Sequence, residues 1–361
     1  MTGNTPTDTI ICGDCLEEMK KLPANSINLI YTDPPYFKVK DEPWDNQWEN
    51  PAKFIDWIGE LCQEWQRILK PNGSLYVFAG PKMAARVECE IAEHFNVLNR
   101  ITWRKNDGTA NEGGLWSRSD KDILRRFFEQ KEEIIFAEPI GSDEAIDDFI
   151  GYGAKCDEAA RDVFGKYIKQ IRDEHKLTSK DLTEVIGAYG NVNHGGACCN
   201  WEKGYNVPTR EHYNKIKESW PGYFKREYED LKREYEDLKR EYEDLRRPFQ
   251  VTSEVPYTDV WDFPTVGYYE GKHPCEKPIE MSRHVIAASS RPGDVVLDCF
   301  GGSCQVADAC IQLNRRYIII EQNAEYCRQA RQRTSMIQPE AAQKRVAAVP
   351  ARLDRWAEAD A

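Results

Sequence analysis

The stretch that decides the fold is Ile27-Asn28-Leu29-Ile30-Tyr31-Thr32-Asp33-Pro34-Pro35-Tyr36. Its first part is a short, mostly apolar run that is typical of a buried parallel strand, and the two prolines end that strand abruptly. Open α/β sheets bind their ligands at the carboxyl ends of such strands. The stretch therefore predicts a strand that brings one carboxylate and one aromatic ring to a binding site. Taken alone, it is also compatible with a proline-capped strand end that carries a surface aspartate.

The tetrapeptide Asp33-Pro34-Pro35-Tyr36 suits a planar base that bears an amino group. Proline has a fixed φ and no N–H group, so its carbonyl can accept from a ligand. The carboxylate is a second acceptor for the amino group, and the tyrosine ring can stack on the base.

Composition excludes several classes of protein. The chain has 361 residues, which suggests two or three domains, and no run of 18 or more apolar residues. Its N-terminal residues have neither a basic nor an apolar leader, and twelve cysteines without such a leader are expected to be reduced thiols. We therefore expect a cytoplasmic protein that does not bind a membrane. The pair Cys12-x-x-Cys15 has no second Cys-x-x-Cys to complete a zinc site, so no metal is expected.

The formal net charge of −12 argues against a protein that coats nucleic acid without specificity. Between Arg100 and Lys131, however, basic residues outnumber acidic ones. A basic loop on an acidic body fits a protein that contacts nucleic acid on one face, and a solvated surface loop is the alternative. Arg104, Lys105 and Arg118 are the candidate DNA contacts in this stretch.

The first part of the chain, to about residue 139, shows an α/β pattern. Residues 9–15 predict a strand that ends in a turn exposing Asp14, on the same sheet edge as Asp33. Apolar spacing predicts a helix over 54–69 that stops at the proline and glycine of Lys70-Pro71-Asn72-Gly73. Further strands are predicted at 75–79, 101–103 and 133–137.

Residues 144–220 predict helices instead. Arg161 to His175 is one amphipathic pattern, and Thr178 opens a second helix with a capping-box spacing. The stretch 160–218 resembles the helix-turn-helix of phage-repressor-like DNA-binding domains, although its turn is longer and richer in glycine. The resemblance implies a recognition helix at about 195–202, with Asn193, His194 and Asn200 near base edges. A helical insertion without a DNA role is the alternative.

Residues 226–246 repeat Arg-Glu-Tyr-Glu-Asp-Leu-Lys three times, with Arg as the final residue. The tyrosines and leucines alternate three and four apart, which predicts a long helix over about 224–247 with one apolar stripe. That stripe needs a partner, either the body of the protein or a second subunit. We predict a homodimer.

The α/β pattern resumes at residue 251. His273-Pro274-Cys275-Glu276-Lys277-Pro278 precedes a predicted helix over 279–288. A strand over 295–300, the turn Gly301-Gly302-Ser303, a helix over 304–313 and a strand that ends at Glu321 follow. This order is typical of a nucleotide-binding half, in which glycines let the backbone approach the ligand and the acid accepts from ribose hydroxyls. Residues beyond about 334 are predicted to form a disordered tail.

Three motifs, Asp33-Pro-Pro-Tyr36, His273-Pro-Cys-Glu-Lys-Pro278 and Leu297-Asp-Cys-Phe-Gly-Gly-Ser303, together resemble the signature of amino-group DNA methyltransferases that use S-adenosylmethionine. Their order is similar to that of the permuted β class. The resemblance implies a Rossmann-like, doubly wound, mainly parallel α/β sheet. It also implies a catalytic half at 1–139, a target-recognition insertion at 140–250, a cofactor-binding half at 251–334 and a tail at 335–361.

The resemblance also implies residue roles. Asp33, Pro34, Pro35 and Tyr36 are the implied catalytic residues. Phe300, Gly301, Gly302 and Ser303 surround the methionine part of the cofactor, Asp298 supports the turn and Glu321 lies on the ribose. His273 and Lys277 belong to the opposite wall, and Asp14 lies near cofactor and base. Cys304 departs from the family pattern, which usually has glycine there, so we expect an altered cofactor affinity or helix start.

The predicted reaction is direct, in-line transfer of the cofactor's methyl group to the N6 amino group of an adenine flipped out of double-stranded DNA. Asp-Pro-Pro-Tyr is commoner in adenine enzymes and Ser-Pro-Pro-Tyr in cytosine-N4 enzymes, so cytosine-N4 methylation is the first alternative. A non-catalytic helix-turn-helix regulator is the second. RNA or protein-glutamine methylation would not need the permuted order with such an insertion, and the setting of Pro274-Cys275 does not favour carbon-5 cytosine chemistry. A cognate restriction endonuclease is a possible partner.

Overall fold

The computed structural model of the chain describes residues 6–39, 43–105, 125, 130–140, 157–187, 196–250, 257–270 and 272–337. The chain divides into two compact units. One combines Met1–Ser142 with Arg247–Ala361, and the other is Asp143–Arg246. Within the described ranges, no helix is both long and apolar enough to cross a membrane.

The helices and strands are numbered here in chain order. They are β1 (Thr9–Cys12), α1 (Cys15–Met19), β2 (Ile27–Thr32), α2 (Pro51–Ile68), β3 (Leu69–Ala79), α3 (Ala84–Ala92), β4 (Phe95–Lys105), β5 (Lys131–Pro139), α4 (Lys166–Glu174), α5 (Ser179–Ile186), α6 (Gly196–Lys203), α7 (Arg210–Ser219), α8 (Tyr228–Leu245), β6 (Val260–Phe263), α9 (Ile279–Ser289), β7 (Val295–Asp298), α10 (Gln305–Gln312), β8 (Arg316–Glu321) and α11 (Ala324–Ser335).

The first unit is built on one eight-stranded sheet in the order β1-β8-β7-β2-β3-β5-β4-β6. From β1 to β3 all neighbouring strands are parallel, β5 is antiparallel to both β3 and β4, and β6 is parallel to β4. This confirms the predicted mainly parallel α/β class. Because β8 and β7 lie between β1 and β2, the C-terminal part of the chain completes a sheet that the N-terminal part begins. The carboxyl ends of the parallel strands bring Asp14, Asp33, Asp298 and Glu321 to one edge.

Strand β2 is buried on both faces, which explains its nearly continuous apolar sequence. Ile30 packs in one hydrophobic cluster with Phe54 and Trp65 of α2. Its neighbours in the strand, Leu29 and Tyr31, pack in a second cluster with residues of α9 and α10. Since alternate residues of a strand face opposite sides, the helices cover both faces of the sheet.

Most predicted elements of this unit are present, with differences at their ends. Helix α2 occupies the stretch predicted for it, but β3 begins at Leu69 directly after it. The expected Lys-Pro-Asn-Gly stop therefore lies at the start of the strand, where the pairing of β2 with β3 shifts register. Helices α3 and α11 and strand β6 had no counterpart in the prediction. Of the predicted tail, residues 338–361 lie outside the described part.

The second unit consists of helices α4 to α8. Its core contains Phe164, Leu182, Trp201 and Tyr213, all buried. The predicted capping box is confirmed, because Thr178 and Asp181 exchange side-chain-to-backbone hydrogen bonds at the start of α5. The first predicted helix is present in two parts, a π-helical segment at Arg161–Gly165 that continues into α4. Arg172 of α4 pairs with Glu202 of α6 at 2.7 Å and ties these two helices together.

The heptad repeat forms α8, as predicted. Leu231 is fully buried, and Tyr228, Tyr235 and Leu238 pack against the same core of the second unit. This part of the apolar stripe therefore has its partner within the insertion itself. The side chains of residues 242–245 lie outside the described part.

Candidate active site

The carboxyl edge of the parallel strands opens into a cavity of about 1090 Å³. This volume has room for a nucleoside-sized ligand beside a second base. Every residue predicted to be catalytic or cofactor-binding lines it: Asp14, Asp33, Pro34, Pro35, Tyr36, His273, Lys277, Asp298, Phe300, Gly301, Gly302, Ser303 and Glu321.

Asp33 follows β2 and faces the cavity with 21% of its side chain exposed. Its Oδ2 atom lies 2.7 Å from the ammonium of Lys277. Its Oδ1 atom is buried and has no hydrogen-bond partner among the described residues. A buried acceptor without a donor is costly, so the carboxylate retains capacity for a donor that a ligand brings.

Lys277 lies in the catalytic end of the cavity rather than beside the glycine turn. Its ammonium also contacts the Oε2 atom of Glu132 at 3.0 Å and donates to the hydroxyl of Tyr36 at 3.1 Å. The hydroxyl of Tyr36 in turn donates to Glu132 at 3.0 Å. Lys105 pairs with the other oxygen of Glu132. Two carboxylates and two ammonium groups therefore form one connected, partly buried network.

Burial and charge act in opposite directions on the groups of this network. Burial raises the pKa of Asp33, against the attraction of Lys277. Burial alone would also raise the pKa of Glu132, but Lys277 and Lys105 lower it to about 2. Burial alone would lower the pKa of Lys277, but the two carboxylates raise it. Lys277 is therefore a permanent cation beside the predicted catalytic carboxylate.

The glycine turn after β7 forms the other end of the cavity. A Cβ atom on Gly301 would lie 2.4 Å from Ile319, and one on Gly302 would lie 3.1 Å from His273. Only glycine lets the backbone pass so close to its neighbours. The backbone N–H of Gly302 donates to Glu321 Oε2 at 2.7 Å, and that of Asn323 donates to Oε1 at 2.7 Å. These bonds fix Glu321 at the end of β8 and leave lone pairs for ligand hydroxyls.

Cys304, the departure from the family pattern, has a φ of 55°. This left-handed conformation favours glycine, the residue that the resemblance led us to expect at this position. Cys304 is fully buried and directly precedes α10, which begins at Gln305. The chain therefore makes the turn and the helix start with a strained cysteine.

Asp298 at the end of β7 supports the turn through hydrogen bonds. Its Oδ1 atom accepts from the hydroxyl of Thr32 at 3.0 Å and from the backbone N–H of Phe300 at 3.1 Å. Burial raises the pKa of Asp298 to about 7. The bond to Thr32 links this turn to the strand that carries Asp33.

Asp14 and His273 line the rim of the cofactor end. The side chain of Asp14 accepts from the backbone of Glu17 and caps α1. The ring of His273 packs edge-on to Tyr326 at 4.9 Å. Burial lowers the pKa of His273 to about 4, so its ring is neutral at physiological pH and its Nδ1 atom accepts from the backbone of Cys275.

Comparison with known proteins agrees with this geometry. The model of the N6 and N4 methyltransferase family, described as DNA methylase, matches residues 27–332. The chain belongs to the DNA methylase family. This membership confirms the predicted enzyme class, a DNA amino-methyltransferase that uses S-adenosylmethionine. The cofactor fits the methylase structure, because the glycine turn permits close approach of a ligand and Glu321 offers an acceptor beside that turn.

Similar proteins include DNA adenine methyltransferase YhdJ of Escherichia coli, which is 26% identical over 337 residues, 90% of this chain and 84% of that protein. Type II methyltransferase M.HpaI of Haemophilus parainfluenzae is 25% identical over 331 residues, 90% of this chain and 73% of that protein. Among solved structures, the cytosine-N4-specific PvuII DNA methyltransferase has a TM-score of 0.52 at 15% identity and covers 94% of this chain and 92% of that chain. The last similarity shows a shared fold.

The predicted DNA contacts of the methylase lie in different settings. Arg104 pairs with Asp262, and both side chains are largely exposed. Lys105 belongs to the charged network of Glu132. Asn200 lies on α6 and is exposed. Arg118, Asn193 and His194 lie outside the described residues.

Glu132 is the main site residue that sequence reasoning missed. It lies at the start of β5, far from every motif, and reaches the cavity because β5 pairs with β3 and β4. A signal was present, since a pair of glutamates opens an otherwise buried apolar strand. Asp45 was also missed. It is buried and accepts from the backbone N–H groups of Tyr36 and Val39, which holds the loop after the tetrapeptide.

Proposed function

We propose that this methylase transfers a methyl group from S-adenosylmethionine to the N6 amino group of an adenine in double-stranded DNA. The observation that carries the proposal is the Asp33 carboxylate, which lines the cavity together with Pro34 and has an oxygen without a partner in the described part of the chain. Together they offer two acceptors for the two hydrogens of an exocyclic amine.

The amine is a weak nucleophile because its lone pair delocalises into the ring. Acceptors on both N–H groups favour the pyramidal nitrogen, whose lone pair is free to attack. S-adenosylmethionine supplies a methyl group on a sulfonium, whose sulfur departs with the C–S electron pair. As the nitrogen bonds to the methyl carbon it becomes positively charged, and it then loses one N–H proton to water. Asp33 stabilises that developing charge and holds the nitrogen in line.

The target base must leave the duplex to reach this cavity, at a cost of roughly a few kcal/mol. Stacking on Tyr36 offsets part of that cost. Hydrogen bonds of its hydroxyl to Lys277 and Glu132 hold the ring in place.

Two observations support adenine over cytosine. The tetrapeptide begins with aspartate, and a relative that aligns with 90% of this chain is named a DNA adenine methyltransferase. The test is mass spectrometry of nucleosides from DNA incubated with the purified protein and S-adenosylmethionine. We expect N6-methyladenine. N4-methylcytosine alone would favour the cytosine alternative, and binding of DNA without any methyl transfer would favour the regulator.

We assign sequence recognition to the insertion at 140–250. The exposed position of Asn200 on α6, a helix held to α4 by the Arg172–Glu202 pair, supports this assignment. The test replaces Asn193, His194 and Asn200 together with alanine and sequences the modified sites. Gln170→Ala, which removes an exposed amide from α4, is the matched control. Unchanged site preference in the triple variant would refute the assignment.

Arg104, Lys105 and Arg118 are proposed to favour approach of the phosphate backbone, Lys105 in addition to its pairing with Glu132. Eleven of the twelve cysteines lie in the described part of the chain and are free thiols there, which supports a reducing compartment, the cytoplasm. The type II name of M.HpaI supports a cognate restriction endonuclease as a partner.

The heptad spacing of α8 supports a homodimer. Packing of Leu231 within the insertion reduces the part of the apolar stripe that is left for contact with a second subunit. Sedimentation that shows only monomer at micromolar concentration would exclude the homodimer.

A further inference from the structure

The charged network around Lys277 is more elaborate than the proposed reaction requires. Amine binding needs Asp33 and Pro34, yet Asp33 has a permanent cation at 2.7 Å. The rings of Tyr36, Phe78 and Trp103 surround that ammonium, with centroids at 5.2, 4.9 and 5.9 Å. Only 11% of the lysine side chain is exposed, so solvent screens its charge weakly.

A cation in this place opposes the proposed reaction unless something balances it. Methyl transfer moves positive charge from sulfur to the nitrogen that Asp33 holds. An ammonium that paired with Asp33 alone would draw the carboxylate's charge toward itself and repel the charge growing on the nitrogen.

Glu132 supplies the balance. Its Oε2 atom lies 3.0 Å from the same ammonium, and only 9% of its side chain is exposed. Tyr36 donates to that oxygen, so Glu132 also holds the ring expected to stack on the base. With Lys105 on the remaining oxygen, the two carboxylates and two ammonium groups have no net charge.

We propose that Glu132 is a positioning residue for methyl transfer, which shares Lys277 with Asp33 so that the Asp33 carboxylate stays available to the amino group of the target base. Glu132 acts through Lys277 and Tyr36 and does not itself contact the base. The inference rests on the proposed role of Asp33 as acceptor of the amine.

The neighbouring glutamate provides a matched control. Glu133 is buried in the same strand, but it accepts from Thr102 at 2.9 Å and pairs with Lys131. Successive residues of a strand face opposite sides, so Glu133 does not belong to the network. Glu133→Gln and Glu132→Gln make the same chemical change at similar burial.

The pH dependence separates positioning from simple structural support. The charged and titratable groups around Asp33 are Lys277, Glu132, Tyr36, Tyr31 and Asp298, with Lys105 behind Glu132. Loss of the Glu132 charge lowers the pKa of Asp33, because repulsion is removed and Lys277 pairs with Asp33 alone. Loss of the Lys105 charge acts in the opposite direction, because the charge of Glu132 is then less neutralised.

The experiment measures kcat for methyl transfer to DNA from pH 5 to 9, with saturating cofactor, for wild type, Glu132→Gln, Glu133→Gln and Lys105→Gln. Glu132→Gln is expected to lose roughly ten- to a hundredfold in plateau kcat and to move the acid limb to lower pH. Lys105→Gln is expected to move the acid limb of the pH profile to higher pH. Glu133→Gln is expected to leave both the plateau kcat and the acid limb unchanged. Circular dichroism shows which variants fold. If Glu132→Gln does not fold, the pH shift of Lys105→Gln still tests the proposal, because the Lys105 side chain is partly exposed and its replacement disturbs the core less.

A wild type that transfers no methyl group to DNA would overturn the proposed function and this inference with it. An active wild type in which Glu132→Gln behaves as Glu133→Gln, or in which the acid limb does not move in either network variant, would overturn this inference alone.

Discussion

The two ends of the cavity are built from different parts of the protein. The cofactor end is made by backbone, where Gly301 and Gly302 approach their neighbours and Glu321 accepts from N–H groups. The catalytic end is made by side chains, where Asp33, Lys277 and Glu132 from three separate segments share charge. The cofactor end therefore depends on local chain conformation, whereas the catalytic end depends on how distant strands pair. Substitutions at the cofactor end should alter the affinity for S-adenosylmethionine, and substitutions at the catalytic end should alter kcat.

The strongest test of this division is Asp33→Ala. Removing the acceptor should lower kcat roughly 10²- to 10³-fold, as for other preorganised groups that stabilise developing charge. Affinity for S-adenosylmethionine should change little, because the cofactor end is intact. Transfer of radiolabelled methyl groups and calorimetric titration measure the two effects. A parallel loss of cofactor binding would show that the two ends are not separate.

The second test concerns pH and stability at Asp298, which links the two ends. The folded carboxyl keeps its proton to about pH 7, whereas the ordinary value is 3.8. Between these values the folded state binds more protons than the unfolded state, so the free energy of unfolding falls as pH rises. Asp298→Asn should remove this decline, which is on the order of a few kcal/mol. Urea unfolding from pH 4 to 8 measures it, and an unchanged slope would contradict this account.

The third test is Glu321→Gln at the cofactor end. Glutamine presents an NH₂ group to one of the two backbone donors, which weakens the turn and the acceptor offered to the ribose. We expect roughly tenfold weaker cofactor binding with kcat nearly unchanged at saturation. Glu325→Gln, an exposed carboxylate of α11, is the matched control. Loss of kcat at saturating cofactor would place Glu321 in the chemistry instead.

The smallest effect is expected at Cys304. Alanine and glycine both remove the buried sulfur, but only alanine keeps the penalty of the left-handed φ. Cys304→Gly should therefore be more stable than Cys304→Ala by about 1 kcal/mol. Thermal unfolding of both variants gives the difference. Equal stability would show that this turn relaxes when its side chain is shortened.

The same contrast explains what could be predicted from sequence. Continuous apolar burial made β2 recognisable, and a glycine turn between two strands with an acid after the second predicted the cofactor end. These signals are local. Glu132 reaches Lys277 only because β5 turns back antiparallel beside β3, and no local pattern specifies that pairing. For the same reason the pairing of Lys277 with Asp33 was not predicted: the resemblance placed Lys277 among the cofactor residues, on the wall opposite the glycine turn.

The heptad helix and the helix stop after α2 show the same limit of local sequence patterns. The heptads correctly predicted α8, but spacing alone could not decide which surface its stripe covers, and Leu231 lies inside the insertion. Lys70 to Gly73 predicted a helix stop, but α2 already ends at Ile68 and pairing with β2 extends β3 back to Leu69, so these four residues lie within the strand. Pairing between β2 and β3 therefore outweighed the preference of the Pro-Asn-Gly sequence for a turn.

The most direct measurement is a structure of the methylase bound to DNA and S-adenosylhomocysteine. We predict a flipped adenine stacked on Tyr36, with its amino nitrogen about 3 Å from both the Asp33 carboxylate and the Pro34 carbonyl. Lys277 should remain between Asp33 and Glu132. A target amine held by other groups, or Lys277 displaced from both carboxylates, would contradict the account.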